Sequence, residues 1–276
     1  MRPKDSDQGY LTYAQNSSTV DYLSQAYLLA LSVKMHCTIN KFAVVVDHAT
    51  AESITDNHRK VFDHIITIDT MPPFVNECLT WELTPFKETF KVESDMLITS
   101  SIDHWWDACR TKDICFSAAV TDYKSVPSTS RKYRQLWDDN NLLDVYNGFM
   151  YVRHCAASMN FFKTARSIFD NYNIYRDSIL INCRHDFPDT DIVFSIAAEL
   201  LGRENFYIPT TYPTFVHMKA HINDWACKDW RDACSWALTK DNIFIVNGYA
   251  QTLPFHYYQK DFCTPELISL YEQRIL

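Results

Sequence analysis

Three apolar runs in the first hundred residues each end on acid, and this repetition limits the fold more than any other feature. They are Lys41-Phe42-Ala43-Val44-Val45-Val46-Asp47, then His64-Ile65-Ile66-Thr67-Ile68-Asp69, then Phe90 and Val92 leading into Glu93 and Asp95. Near-continuous β-branched runs read as strands buried on both faces, the habit of parallel sheets. Tyr10-Leu11-Thr12-Tyr13-Ala14 reads as an earlier strand. From Asp21 a helix is predicted, with Leu23, Ala26, Tyr27, Ala30 and Leu31 on one apolar face; Thr50 to Phe62 reads as a polar-faced helix. Strands alternating with helices imply βαβ units and ligands at the carboxyl ends of the strands, where Asp47, Asp69 and Asp95 fall. The expected fold class is α/β, built of parallel βαβ units.

Further strands are predicted over Ile114 to Val120, Tyr146 to Val152, Phe206 to Ile208, Thr214 to His217 and Ile243 to Val246. Helices are predicted over Ser101 to Arg110 and Ser158 to Tyr172, with another capped by Asp189-Thr190-Asp191. Without an internal repeat or flexible linker, residues 1–276 read as a single domain, less regular from about 227.

Glycine is scarce: Gly9, Gly148, Gly202 and Gly248 are the only four. Neither GxGxxG nor GxxxxGK[ST] can be built from them, so a nucleotide site here needs another way to hold phosphates, and a metal is the obvious substitute. The formal charge of −8 argues against indiscriminate nucleic-acid binding, though not against a local basic patch. Nine cysteines without a CxxC pair fit neither a disulfide framework nor a zinc knuckle, and read as reduced thiols in a cytoplasm. The start, MRPKDSDQGY, has no apolar h-region, and no run of about 18 apolar residues suggests a membrane span.

Glu93-x-Asp95 is one of three such acidic triplets, with Asp5 to Asp7 and Asp189 to Asp191. It alone follows a strand and is flanked by apolar residues on both sides, Met96, Leu97 and Ile98 coming next. Buried carboxylates are costly unless compensated, and a divalent cation compensates them; strand-end turn acids are the alternative. Mg²⁺ or Mn²⁺ bound by one or two carboxylates completes its shell with substrate phosphates, and an imidazole among the ligands tilts the choice to Mn²⁺.

Trp81-x-Leu83-Thr84-x-Phe86, six residues, then Glu93-x-Asp95 resembles the retaining glycosyltransferases that include glycogenin, galactinol synthase and bacterial lipopolysaccharide galactosyltransferases, in which W-x-L-T-x-Y precedes D-x-D at this spacing. Tyr10 to Lys34 resembles that family's first strand and helix. Tyr146-Asn147-Gly148-Phe149-Met150 resembles its N-[SA]-G-V strand, and Phe215-Val216-His217-Met218 with Trp225 its H-F-x-G-x-x-K-P-W segment. Glycosyltransferases carried by tailed phages are the members the chain resembles most.

The resemblance implies a GT-A nucleotide-diphosphosugar fold, an α/β fold with a mixed, mostly parallel sheet flanked by helices, and a UDP-sugar donor. It implies Asp95 and His217 as ligands of Mn²⁺ (or Mg²⁺), with Glu93 on the metal or the ribose. Thr12 and Ala14 would line the nucleotide pocket, and Asp191 and Asn147 would stand by the transferred sugar. The family's lysines fall at Glu88 and Asn223, with Lys219 as a substitute for the second. Taken alone, His217 reads equally as a core histidine, Asp191 as a helix cap, Asn147 as a turn residue, and Trp105 and Trp106 as packing.

Lys124, Arg131, Lys132 and Arg134 surround Tyr133 in an otherwise acidic chain. They read as a solvated loop or as an acceptor loop for an anion, and hydroxymethylated pyrimidines in phage DNA are an acceptor that phage-type members suggest. Two rival functions remain at this level: a nucleotidyltransferase, and a non-catalytic nucleotide-sugar-binding protein of the same fold.

Overall fold

The computed structural model describes residues 6–69, 72, 75–209 and 212–276. Its centre is a six-stranded sheet of β1 (Ser6–Ala14), β2 (Phe42–Asp47), β3 (His64–Ile68), β4 (Phe86–Val92), β6 (Ile114–Ser117) and β7 (Tyr146–Arg153), in the order β3-β2-β1-β4-β7-β6. β2 lies parallel to β1 and β3, and β4 parallel to β1; β7 runs antiparallel to both β4 and β6. The parallel part of the sheet is as the run-and-acid pattern predicts, and the antiparallel β7 makes it the mixed, mostly parallel sheet expected of a GT-A fold. β2 is buried along its whole length because both its faces are covered: Phe42, Val44 and Val46 join the main core, while Ala43 and Val45 pack with Leu11, Ile66 and Phe86 on the opposite side.

The Tyr22–His36 helix starts where expected, with Asp21 accepting from the Ser24 N–H at 3.0 Å. It is buried nearly all round rather than on one face, because the Pro265–Ile275 helix covers its outer side with Leu267 and Tyr271. The Thr50 to Phe62 stretch forms two short helices, His48–Ala51 and Asp56–Val61. Thr55 ends the first pattern by capping the second, with His58 reciprocating. The Ser158 to Tyr172 expectation becomes Ala156–Asp170 followed by Tyr172–Ile179. Phe206 to Ile208 forms no strand, although the Phe206 carbonyl accepts from Phe116 N–H at 2.9 Å.

Two small sheets complete the chain. β9 (Trp236–Leu238), β10 (Phe244–Val246) and β11 (Tyr249–Ala250) form an antiparallel meander. β5 (Met96–Leu97), β12 (Phe255–His256) and β8 (Val216–His217) form the other, with β12 in the middle. This second sheet ties three distant parts of the sequence together beside the end of β4. All nine cysteines are free, and among the described residues no helix is long and apolar enough to cross a membrane.

Phe90 anchors the core under the sheet, its ring centre 3.9 Å from Trp106 and 5.1 Å from Phe149. Phe90→Ala is expected to cost about 3–5 kcal/mol in urea unfolding; a loss below about 1 kcal/mol contradicts this packing.

Candidate metal and donor site

β4 ends at Val92, and the next three residues turn before β5 begins. The turn is pinned at both sides: Glu93 N–H donates to the Gly148 carbonyl at 2.8 Å, and the Asp95 carbonyl accepts from Tyr257 N–H at 3.2 Å. Because β12 lies antiparallel to β5 and parallel to β8, His256 is the register partner of both Met96 and His217. The imidazole that meets the acids is accordingly His256: its Nε2 lies 2.7 Å from Asp95 Oδ2 and 3.6 Å from Glu93 Oε2. Lys260 Nζ donates to the same Asp95 oxygen at 2.6 Å. His217, the ligand expected from the sequence, stands alongside with its ring centre 4.4 Å from that of His256.

Ligand atoms of Glu93, Asp95 and His256 all lie within 4.8 Å of one another. Two carboxylates and one imidazole are a donor set that suits Mn²⁺ or another first-row divalent ion, and three protein ligands leave positions for phosphate oxygens. The buried His256 Nδ1 has no protein partner. Burial alone would raise the Asp95 carboxyl, but the charges and hydrogen bonds of His256 and Lys260 overcome it and hold Asp95 well below the usual carboxylate range. Burial raises Glu93, and the Asp95 charge adds to that, against the pull of His256. Burial also drives His217 far below the ordinary histidine value, so its imidazole is neutral at pH 7.

Two lobes of one cleft meet at this group. One, of about 350 Å³, sits at the carboxyl ends of β1 and β4 and is lined by Tyr13, Gln15, Asn16, Tyr22 and Asp95. The other, of about 460 Å³, is lined by Tyr133, Arg134, Asn147, Asp191, His217 and Lys219. Glu77, Glu93 and Lys260 border both. Thr12 and Ala14, the expected nucleotide contacts, are fully buried and line neither lobe; Tyr13, which points to the other face of β1, and Gln15 take that place.

A chain of polar contacts runs along the floor of the larger lobe. Lys91, inside β4 with its side chain 2% exposed, places Nζ 2.5 Å from Glu77 Oε2 and 3.1 Å from the Asn147 carbonyl. Asn147 Nδ2 donates to the same Glu77 oxygen. The Asn147 N–H donates to Asp191 Oδ1 at 2.9 Å, and Arg134 Nη2 donates to Asp191 Oδ2 at 2.9 Å. The guanidinium of Arg134 is 3.8 Å from the Tyr146 ring centre and 4.2 Å from that of Trp137. Asn147 and Gly148 are strand residues of β7 rather than a turn, and Asp191 lies in the first turn of the Thr190–Leu201 helix, next to its cap Asp189. A Cβ on Gly148 would stand 2.7 Å from Met96 Cε and 3.1 Å from Glu93 Oε2, so this position holds the acidic turn against β7.

The four bases of the expected acceptor loop separate in space. Arg131 pairs with Asp138 and with Asp144 at 2.6 Å, and Lys132 with Asp224 at 3.1 Å. Lys124 lies over Tyr123 and Tyr249 at 5.5 and 5.9 Å. Arg134 is 2% exposed and belongs to the cleft wall. The loop is therefore held by its own acids rather than presented as a row of bases. Lys219 faces the larger lobe, its Nζ 4.7 Å from the Tyr133 ring centre. Trp105 and Trp106 are core residues, and Asp47 caps a helix by accepting from Thr50 N–H at 2.8 Å.

His256, Lys260, Glu77 and Lys91 join the site without having been singled out by sequence. Only Lys91 left a signal, a lysine between two apolar residues of a buried strand. His256 is 161 residues from Asp95, and only the pairing of β12 joins them.

No protein-family model matches the sequence, and no curated protein matches it. The fold does have solved counterparts. Of this chain, 99% aligns with 61% of the glycosyltransferase GlyE of Streptococcus pneumoniae TIGR4, at a TM-score of 0.50 and 8% identity. The chain thus spans about three fifths of GlyE. Mouse xyloside xylosyltransferase 1 aligns over 91% of this chain and 97% of its own, at a TM-score of 0.49 and 10% identity. The fold is that of GT-A glycosyltransferases.

Lys91→Met removes the buried ammonium from Glu77 and leaves that carboxylate with Asn147 alone, and is expected to cost about 3–5 kcal/mol, the penalty for breaking a buried pair. Glu77→Gln in the same chain should recover part of that loss; equal stability of Lys91→Met and the parent in urea unfolding contradicts the network.

Proposed function

We propose that this protein is a metal-dependent glycosyltransferase that moves a sugar from a UDP-sugar to an acceptor hydroxyl with retention. The observation that carries the reading is the meeting of Glu93, Asp95 and His256 at the junction of two lobes on a GT-A fold. A divalent ion held there by these three residues would act as a Lewis acid and neutralise charge on the diphosphate leaving group.

The chain's own residues supply the rest. Tyr13, Gln15 and Asn16 form the wall of the smaller lobe, where the nucleoside binds, with Tyr13 and Tyr22 as its aromatic faces. The transferred sugar sits in the larger lobe against Asn147 and Asp191. Asp191, fixed by Arg134 and by the Asn147 N–H, orients sugar hydroxyls and supplies negative charge towards an oxocarbenium-like centre. With Asp191 engaged in this way, the leaving phosphate is the base that takes the acceptor proton, on the face where the new bond forms. Glu93 and His217 contribute to the metal side, and Lys219 to the charge facing the sugar and acceptor.

The acceptor enters past Tyr133 and Tyr258, aromatic faces of the larger lobe. A hydroxymethylated pyrimidine of DNA is an acceptor these faces suit by stacking. Lys124 and Lys132 on the exposed rim are then its phosphate contacts, and Arg131 and Arg134 act through the loop they brace. In that case Lys124→Ala with Lys132→Ala weakens transfer and flattens its salt dependence; transfer unchanged in both respects removes the rim from acceptor binding.

The decisive assay is Mn²⁺-dependent hydrolysis or transfer across a panel of UDP-sugars. Asp95→Ala should remain folded by circular dichroism and lose at least about 100-fold in rate. Full activity in that variant overturns the assignment. Release of pyrophosphate from UTP and a sugar 1-phosphate, in place of UDP from a UDP-sugar, would indicate a nucleotidyltransferase, and tight nucleotide-sugar binding without turnover a binding protein.

A further inference from the structure

Asp95 has one carboxylate oxygen, Oδ2, that receives both His256 Nε2 at 2.7 Å and Lys260 Nζ at 2.6 Å. That oxygen belongs to the metal-ligand group, so the Lys260 ammonium stands on a coordination position. A divalent ion and an ammonium cannot share it, because two cations at contact distance in a buried site repel strongly. Lys260 must leave when a metal arrives.

The surroundings show where it goes. Lys260 borders both lobes of the cleft and a third hollow formed with Thr19, Asp21 and Cys263, so its side chain has space on several sides. Its backbone is fixed, the carbonyl accepting from Gln25 Nε2 at 3.2 Å at the start of the short Lys260–Phe262 turn. The ammonium can therefore pivot while its root stays in place. A diphosphate bridging from the smaller lobe to the metal group brings new anionic oxygens to the same junction.

We propose that Lys260 is an exchangeable cation. It holds Asp95 until a divalent ion and a diphosphate arrive together, then passes from Asp95 to a phosphate oxygen, so that metal and diphosphate enter as a unit. This inference rests on the proposed metal and diphosphate site. Its consequence is reciprocal: diphosphate tightens metal binding and metal tightens diphosphate binding by the same factor. Lys260 contributes with opposite sign to the two states, opposing the metal alone and supporting the metal with diphosphate.

The test uses the whole chain with Mn²⁺ and UDP as probes. Free Mn²⁺ is read by electron paramagnetic resonance with and without saturating UDP, and folding is checked by thermal unfolding. Lys260→Met should tighten Mn²⁺ binding in the absence of UDP by about 10-fold and weaken it in the presence of UDP, a crossing of signs. Lys260→Arg keeps a cation of similar reach and should restore the parent pattern. If Lys260→Met shifts both affinities in the same direction, or leaves that for Mn²⁺ alone unchanged, the exchange is overturned while the metal site stands. If the parent protein binds neither Mn²⁺ nor UDP in any combination, the proposed function falls and the exchange with it.

Discussion

The burial of Asp95 is the constraint on which the rest of this structure depends. A carboxylate 3% exposed at the end of a central strand is stable only with positive charge against it. Lys260 provides that charge and His256 Nε2 a close polar contact, and both come from the last tenth of the chain. The C-terminal segment is therefore tied to the site by electrostatics as well as by packing. β12 between β5 and β8 sets the register of His256, and the Pro265–Ile275 helix seals the far side of the Tyr22–His36 helix. Glu93, two residues earlier and a third exposed, opens into the cleft and has the opposite tendency towards protonation. Two acids one residue apart thus differ because one is enclosed by His256 and Lys260 and the other faces the lobes.

A second buried charge organises the other side of the cleft. Lys91 lies within β4, and its ammonium holds Glu77 and the Asn147 carbonyl. Through Asn147 the same chain reaches Asp191 and Arg134. β4 and the turn after it thus carry three functional charges, Lys91, Glu93 and Asp95, and β7 is drawn against them through Asn147 and Gly148. The rigid sheet fixes the positions of these groups, while aromatic rings pack against the Arg134 guanidinium and keep it buried beside Asp191.

Much of this architecture was legible in the sequence. Runs such as Phe42 to Asp47 have only one comfortable environment, the doubly covered interior of a parallel sheet, and they form it. Asp95 and Glu93 follow a strand end, and Asn147, Asp191 and His217 line one lobe that Glu93 borders. What the sequence hid was contact made by tertiary pairing. His256 reaches Asp95 through strand register, and Glu77 reaches Lys91 through a short helical turn, and neither carries a local period or spacing. The cluster of bases misled for a related reason: a basic run in sequence says nothing of the acids Asp138, Asp144 and Asp224 that fold against it. Thr12 is similar, since alternation along β1 turns it to the core while Tyr13 faces the cleft.

The central claim is that Glu93, Asp95 and His256 hold a divalent ion against a diphosphate. Pulsed electron paramagnetic resonance of bound Mn²⁺ with UDP tests it most directly. The account predicts both a ¹⁴N coupling from a directly bound imidazole and a ³¹P coupling from the diphosphate. His256→Gln should remove the nitrogen coupling and keep that of phosphorus. A Mn²⁺–UDP complex on the protein with no nitrogen coupling, or one whose nitrogen coupling survives His256→Gln, would contradict it.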